Sequence, residues 1–422
     1  MSASKSVRNL LYAHSGGVTA VINASAAAVI SAARARPDRI GKVLAAHRGI
    51  VGVLAEDLID TGALDDDALQ RLARTPGGAF GSCRFDLPPG AGGKVTDRLF
   101  EVFAAHDIGY FLYNGGNGSM DAVARLAAAA AERGYGLECV GVPKTVDNDI
   151  VGTDCCPGFG SAAKYLATSM LEAGKDIASM VGPVGSVFVM EVMGRNTGWL
   201  AASTALSANG DPDAPPHIVL VPEAGFDEEA FLARVAEITA RLGYCTITVA
   251  EGIRNAAGEL LMEKSRDARG YVQLGGAGSA VARLIHQRLG FKHHWAIPDY
   301  LQRSASHWLS ATDQAQALAV GREAVRFALE GRSGEFPAIR RLADAPYRWD
   351  VVGVNSEGIA NLERKLPAEF IRADGLHVTA AACDFIRPLI LGEVACPTVG
   401  GLPDLRPFEL PRLPRRLPDW QG

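Results

Sequence analysis

The sequence predicts an α/β protein of two lobes, each a parallel sheet with helices on both faces. Two observations carry this. Short apolar runs repeatedly give way to glycine-containing turns and then to helical patterns. The chain also has 422 residues, more than a single hydrophobic core usually holds.

The first strand is expected over residues 9–14, followed by the turn Ser15-Gly16-Gly17-Val18-Thr19 and a helix over 21–35. The unit recurs with a strand at 110–113, the turn Asn114-Gly115-Gly116-Asn117-Gly118-Ser119 and a helix over 120–133. A third strand, 137–142, runs into Pro143. Later strands are expected at 186–190, 218–221 and 245–249, with a helix over 228–242. Residues 395–422 are rich in proline and arginine, which predicts an extended surface segment.

Composition excludes several classes. Apolar residues make up 48% and charged residues 21%, the balance of a globular protein. The formal net charge is -5 and no long basic stripe occurs, so no nucleic-acid partner is expected. Residues 1–9 lack the apolar segment of a signal peptide. Alanine-rich stretches such as 122–131 are too short and too mixed to span a bilayer, so no membrane association is expected. The 7 cysteines are odd in number and contain no Cys-x-x-Cys pair, which predicts reduced thiols in a cytoplasmic protein.

Three groups of residues point to chemistry. The glycine turns at 16–17 and 115–118 let backbone N–H groups approach an anion closely. Ser119 can cap its helix or donate to a phosphate oxygen. Neither turn has the spacing of a dinucleotide or Walker motif, and a plain tight turn is the competing reading. Arg84, after the glycine stretch 77–81, can stabilise charge on a transferring phosphoryl group or sit in a surface ion pair. The run Pro143-Lys144-Thr145-Val146-Asp147-Asn148-Asp149 follows a strand, where open α/β sheets bind ligands. One carboxylate can accept a proton from an attacking hydroxyl and the other can hold Mg²⁺. An Asx turn with exposed acids explains Asp-Asn-Asp but not the Pro-Lys-Thr before it.

Ordered along the chain, Ser15-Gly16-Gly17, Gly81-Ser82-Cys83-Arg84-Phe85, Gly115-Gly116-Asn117-Gly118-Ser119, the Pro143 to Asp149 run, Met193-Gly194-Arg195, Val221-Pro222-Glu223 and Leu301-Gln302-Arg303 resemble the phosphofructokinase family. The resemblance implies the fold of that family, two Rossmann-like αβα lobes with the active site in the cleft between them. Residues 1–157 with about 305–375 would form the phosphoryl-donor lobe. Residues 158–304 with about 376–422 would form the fructose 6-phosphate lobe. The implied reaction phosphorylates the 1-hydroxyl of fructose 6-phosphate.

The resemblance also implies roles. Asp147 is the base, Thr145 holds the sugar end near the transferred group, and Asp149 serves the metal. Arg195 and Arg303 match contacts to the sugar phosphate or to developing charge. Met193, Gly194 and Glu223 match sugar contacts, and Tyr300 a substrate-phosphate contact that Lys292 would join. Gly17, Arg84, Asn117, Gly118, Ser119 and Lys144 fall on the donor side.

Two positions bear on the donor. Lys144 is the residue usual in members that use pyrophosphate, while Gly118 is the state usual in members that use ATP. The segments 154–165 and 12–23 look like those of the pyrophosphate users, so pyrophosphate is expected, with ATP as the alternative. Asn117 stands where the family usually has an Asp that helps hold Mg²⁺, which keeps a carbonyl ligand but loses the charge. Residues 182–188 carry no cation where tetrameric members offer an arginine to a neighbouring subunit, and a homodimer or homotetramer is expected. NAD and lipid kinases share a Gly-Gly turn but lack the later motifs. A non-catalytic sugar-phosphate sensor has only Asn117 in its favour.

Overall fold

The computed structural model describes residues 7–88, 93–255, 257–261, 265–266, 272–273, 275–359 and 362–421. The first sheet contains β1 (Arg8–His14), β2 (Ile40–Ala46), β3 (Leu58–Asp60), β4 (Ile108–Gly115) and β5 (Glu138–Pro143). Its order is β3-β2-β1-β4-β5, and all pairs are parallel except β2 with β3. Leu10, Leu11, Tyr12 and Ala13 are all fully buried. Leu10 and Tyr12 pack with Ala26, Val29 and Ile30 of helix α1 (Ile22–Arg34), while Leu11 and Ala13 pack with Leu99, Phe103 and Val123 on the other face. A parallel strand covered on both faces reads as an unbroken apolar run, which is how it was legible.

The second sheet is also parallel. Its order is Lys292–Ala296, Ser186–Val192, Tyr244–Ala250, Ile218–Leu220. Glu228–Leu242 forms the expected helix, opened by an Asp227 cap on the Ala230 amide at 3.1 Å and closed by Gly243 in the left-handed region.

Two parts of the chain differ from expectation. Glu335–Asp344 and Tyr347–Asn355 form an antiparallel hairpin against β5, an element the alternating pattern does not foresee. The tail also corrects the lobe assignment. It is extended, but residues 411–420 lie on the first lobe rather than with the second. Leu413, Leu417 and Trp420 pack there against the core that contains Leu99 and Phe103. Buried Glu56 accepts the Arg416 amide at 2.7 Å and the Leu417 amide at 3.0 Å.

Helices Phe159–Ser179 and Ala311–Glu330 join the lobes. Asp313, fully buried, accepts the amides of Gly158 (2.8 Å) and Ser161 (3.0 Å) at the start of the first of these. An anion at a helix N-terminus answers both the unpaired N–H groups and the dipole. No helix among the described residues is long and apolar enough to cross a membrane.

Candidate active site

The site grows from the sheet order. The helix after β1 leads toward β2 on one side, while β4 leads to β5 on the other, so a crevice opens beyond the ends of β1 and β4. Both predicted glycine turns meet there. The Ser15 amide donates to the Asn114 carbonyl at 2.7 Å. A β-carbon on Gly115 would fall 1.9 Å from Ser119 Oγ and 3.0 Å from Ser15 Cβ, so only glycine fits. Gly16 adopts φ +70° and its amide donates to the Cys83 carbonyl at 2.8 Å, which ties the stretch before Arg84 to the first turn.

Helix Asn117–Glu132 begins at this crevice, and no side chain caps its N-terminus. Ser119 therefore does not act as the cap; it is buried inside the first turn, over Gly115. The leading amides remain available to an anion.

The Pro143 to Asp149 run closes the crevice from β5. The Lys144 ammonium is buried and donates to the Ser15 carbonyl at 2.9 Å and to the Gly17 carbonyl. Burial pushes it down to about 7, and Arg303 pushes the same way against the pull of Asp149 and Asp147. Asn148 adopts φ +54°, a conformation Asn tolerates better than most residues. Its Oδ1 accepts the Cys156 amide at 2.9 Å, so it is the buried pivot between the two acids. Thr145 Oγ1 accepts the Asp147 amide at 3.1 Å, and Thr197 Oγ1 donates to the Asp147 carbonyl at 3.1 Å. The Asp147 carboxyl is pushed above its usual range by burial, with Asp149 and Glu251 adding to the rise. Burial raises Asp149 as well.

Asn117 and Asp149 come together. Asn117 Nδ2 donates to Asp149 Oδ2 at 2.9 Å. The remaining oxygens, Asn117 Oδ1 and Asp149 Oδ1, are buried with no hydrogen-bond donor among the described residues. Two such oxygens suit a hard divalent cation that completes its shell with water and phosphate. No cluster of three or more His, Cys, Asp or Glu fit for a metal occurs among the described residues, so any cation here needs other ligands as well.

The second lobe faces this crevice with residues that follow Ser186–Val192. Gly194 has φ +136°, and a β-carbon there would meet the Thr197 carbonyl at 2.5 Å. Its amide donates to Glu251 at 3.4 Å, and the Met193 amide donates to Gln302 at 3.2 Å. Arg195 is exposed and lies near enough to Glu251 and Glu363 to stabilise their charged forms. Arg303 reaches toward the first lobe: a β-carbon on Gly17 would sit 2.8 Å from its Nη1. Its guanidinium stacks on Tyr300, 4.0 Å from the ring centroid. Of its two predicted roles, this geometry favours charge on the donor side. Arg84 is exposed, yet close enough to Lys144 to disfavour its charge.

Two expected sugar contacts stand elsewhere. Lys292 pairs with Ser186, at the opposite end of the strand that leads to Met193. Six residue steps of about 3.3 Å put it roughly 20 Å from that loop within one chain. Glu223 follows the far edge strand. Its Oε1 accepts the Gly198 amide at 3.0 Å and the Leu366 amide at 2.8 Å, so that oxygen binds backbone, while Oε2 is buried with no partner among the described residues. The acid that faces Asp147 is Glu251, which the motif reading missed. It sits directly after Tyr244–Ala250, the same strand-end position that singled out Asp147, and burial raises its carboxyl too. Arg364, whose amide donates to the Asp149 carbonyl at 2.8 Å, had no motif to announce it.

Comparison with known proteins gives a consistent set of likenesses. A family model described as phosphofructokinase matches residues 9–328. A pyrophosphate–fructose 6-phosphate 1-phosphotransferase of Methylococcus capsulatus is 51% identical over 94% of this chain and 95% of its own length. One from Halomonas elongata is 49% identical over 98% of this chain and 99% of its own. The crystal structure of a pyrophosphate-dependent phosphofructokinase from Nitrosospira multiformis superposes with a TM-score of 0.90 at 44% identity, covering 98% of this chain and 100% of that one.

Proposed function

The chain belongs to the phosphofructokinase family, and from that premise we propose that its cleft moves a phosphoryl group from pyrophosphate to O1 of fructose 6-phosphate, giving fructose 1,6-bisphosphate. The observation that carries this reading is Lys144. Its ammonium is held by the carbonyls of Ser15 and Gly17, between the two glycine turns and beside Asp147. There it meets the donor phosphates as a point charge.

The residues divide the work. Asp147 takes the proton of the attacking 1-hydroxyl, and its raised affinity for protons suits it to that task. The amides of the two glycine turns and of the Asn117 helix, with Gly17, Gly118 and Ser119 in their path, cradle the donor. Arg303 and Arg84 neutralise charge on the transferring group. Thr145, Met193, Gly194, Arg195, Glu251 and Tyr300 form the sugar-phosphate side. A divalent cation would supply positive charge to offset that of the phosphates. Mg²⁺ is the ion proposed, with Asn117 Oδ1 and Asp149 Oδ1 as its protein ligands. The first lobe is thus the donor side and the second the sugar side. A homo-oligomer belongs to the same proposal, supported by exposed Trp295, Ile297, Tyr300 and Leu301 on one edge. So does a cytoplasmic location, supported by seven cysteines that are all free.

Gly118 favours a second reading, ATP as donor, because a β-carbon there would meet nothing within 4 Å and space is open. Assays of purified protein with Mg²⁺ and either pyrophosphate or ATP separate the two. Turnover is expected with pyrophosphate, and in reverse with orthophosphate. Turnover with ATP alone would overturn the proposal.

A further inference from the structure

At the far end of the first lobe, α1 and Ala311–Glu330 end side by side and enclose an open groove of about 370 Å³. Its walls include Arg36, Arg39, Arg322 and Arg326, and its floor Ala32, Val325 and Leu329. Helix α1 begins just after the donor turn and has 13 residues. At 1.5 Å per residue the groove lies about 20 Å from the site described above.

The four guanidiniums are not equivalent. Arg36 pairs with Asp38 at 2.9 Å, and Arg326 with Glu323 at 2.6 Å and Glu330 at 2.7 Å. Arg39 makes one long bond to the Leu329 carbonyl at 3.4 Å, and its Nε is buried with no partner among the described residues. The Arg322 side chain is exposed, and its guanidinium has no ion pair or hydrogen bond among the described residues. Complementing helix C-termini explains the Arg39 bond to Leu329. It does not explain Arg322, which lies more than two turns before the end of its helix, beyond the reach of the terminal dipole.

We propose that this groove is a second anion site, which takes a small phosphate-bearing metabolite. Arg39 and Arg322 supply donor forks that match phosphate oxygens. Ala32, Val325 and Leu329 take up a compact carbon body, and the volume falls in the range of small-molecule sites.

The test uses the full chain saturated with fructose 6-phosphate and titrates glycerol 3-phosphate by calorimetry. The native protein is expected to bind one equivalent, with affinity falling as salt rises. Arg322→Ala and Arg39→Ala are each expected to weaken it about tenfold, the scale of one charge-assisted contact. The double variant should lose it, with kcat/KM for both substrates within about twofold of native. Absence of binding to the native protein, or equal affinity in the variants, overturns the proposal. Should Arg39→Ala fail to fold, solvent-facing Arg322→Ala decides alone.

Discussion

The Pro143 to Asp149 run and the Met193 to Arg195 run both follow the carboxyl end of a parallel strand, yet their side chains stand in different surroundings. Lys144 is buried and fixed by two carbonyls, and Asp149 holds Asn117. Arg195 is exposed, and Tyr300 is 64% exposed. In the second run it is the backbone that is fixed, through Gln302 and Glu251. The first side is thus set in a low dielectric, where charges act strongly and need no rearrangement. The second side carries its long side chains at the solvent-exposed face of the cleft. Changes on the first side should therefore strike the rate, and those on the second should strike binding.

Asp147→Asn makes the largest break. It keeps the shape but removes the proton acceptor, and kcat should fall about 10³-fold. Fructose 6-phosphate affinity, measured by calorimetry, should stay near native. Unchanged turnover would remove Asp147 from its role as base.

Lys144→Met comes next, with a loss of about 10² to 10³ in kcat/KM for pyrophosphate. Its titration gives an independent readout. With its value near 7, Lys144 is mostly neutral at pH 8, and anionic pyrophosphate favours the charged form. Binding at pH 8 should take up a proton, seen as a dependence of the calorimetric heat on the buffer. The variant should lose that dependence. The stability effect has a defined sign too. The folded value lies below the unfolded one, so the cost of the buried charge is full below pH 7 and fades as pH rises toward 10.5. Lys144→Met should melt higher than native at pH 6, and the gap should shrink at pH 10.

Glu251→Gln and Glu223→Gln sharpen the second side. Glu251 faces Asp147 across the cleft, and its variant should raise KM for fructose 6-phosphate about tenfold with a smaller change in kcat. Glu223 holds two buried amides, so its variant should cost about 1–3 kcal/mol in a denaturant melt and leave KM nearly unchanged. A reversal of these two results would restore Glu223 as the sugar contact. A smaller effect is expected of Asn117→Asp, which adds a charge beside the orphaned Asp149 oxygen. The Mg²⁺ concentration for half-maximal rate should fall a few fold, about 1 kcal/mol; a rise would place the cation elsewhere.

What the sequence revealed follows the same division. The strands at 9–14, 110–113 and 137–142 were legible because their central residues are buried on both faces, which leaves short apolar runs at 10–13 and 110–113 and a largely apolar one at 139–142. Most of the donor side was legible with them, because Gly17, Gly118, Ser119 and Lys144 lie at or just beyond the turns that follow such strands, whereas Arg84 and Arg303 do not. The edge strand Lys292–Ala296 is half-exposed and carries His293, His294 and Trp295, so it showed neither an apolar run nor a clean alternation. The tail has no period at all, and only contacts such as Glu56 with the Arg416 amide assign it to the first lobe. Glu251 and Glu223 look alike in sequence, since both follow strands. The order of the sheet separates them: Tyr244–Ala250 neighbours the strand that leads to Met193, while Ile218–Leu220 lies at the edge.

Lys292 tests how far a single chain completes the second side. Within the chain its ammonium stands on the wrong end of its sheet, about 20 Å along the strand from Met193. Lys292→Ala should therefore leave KM for fructose 6-phosphate within about twofold of native, the scale expected of an exposed charge far from the ligand. The measurement is a substrate titration at saturating pyrophosphate. A tenfold rise in KM would mean that a neighbouring copy carries Lys292 into this cleft. The exposed side chains of the second lobe would then face another subunit as well as the sugar phosphate.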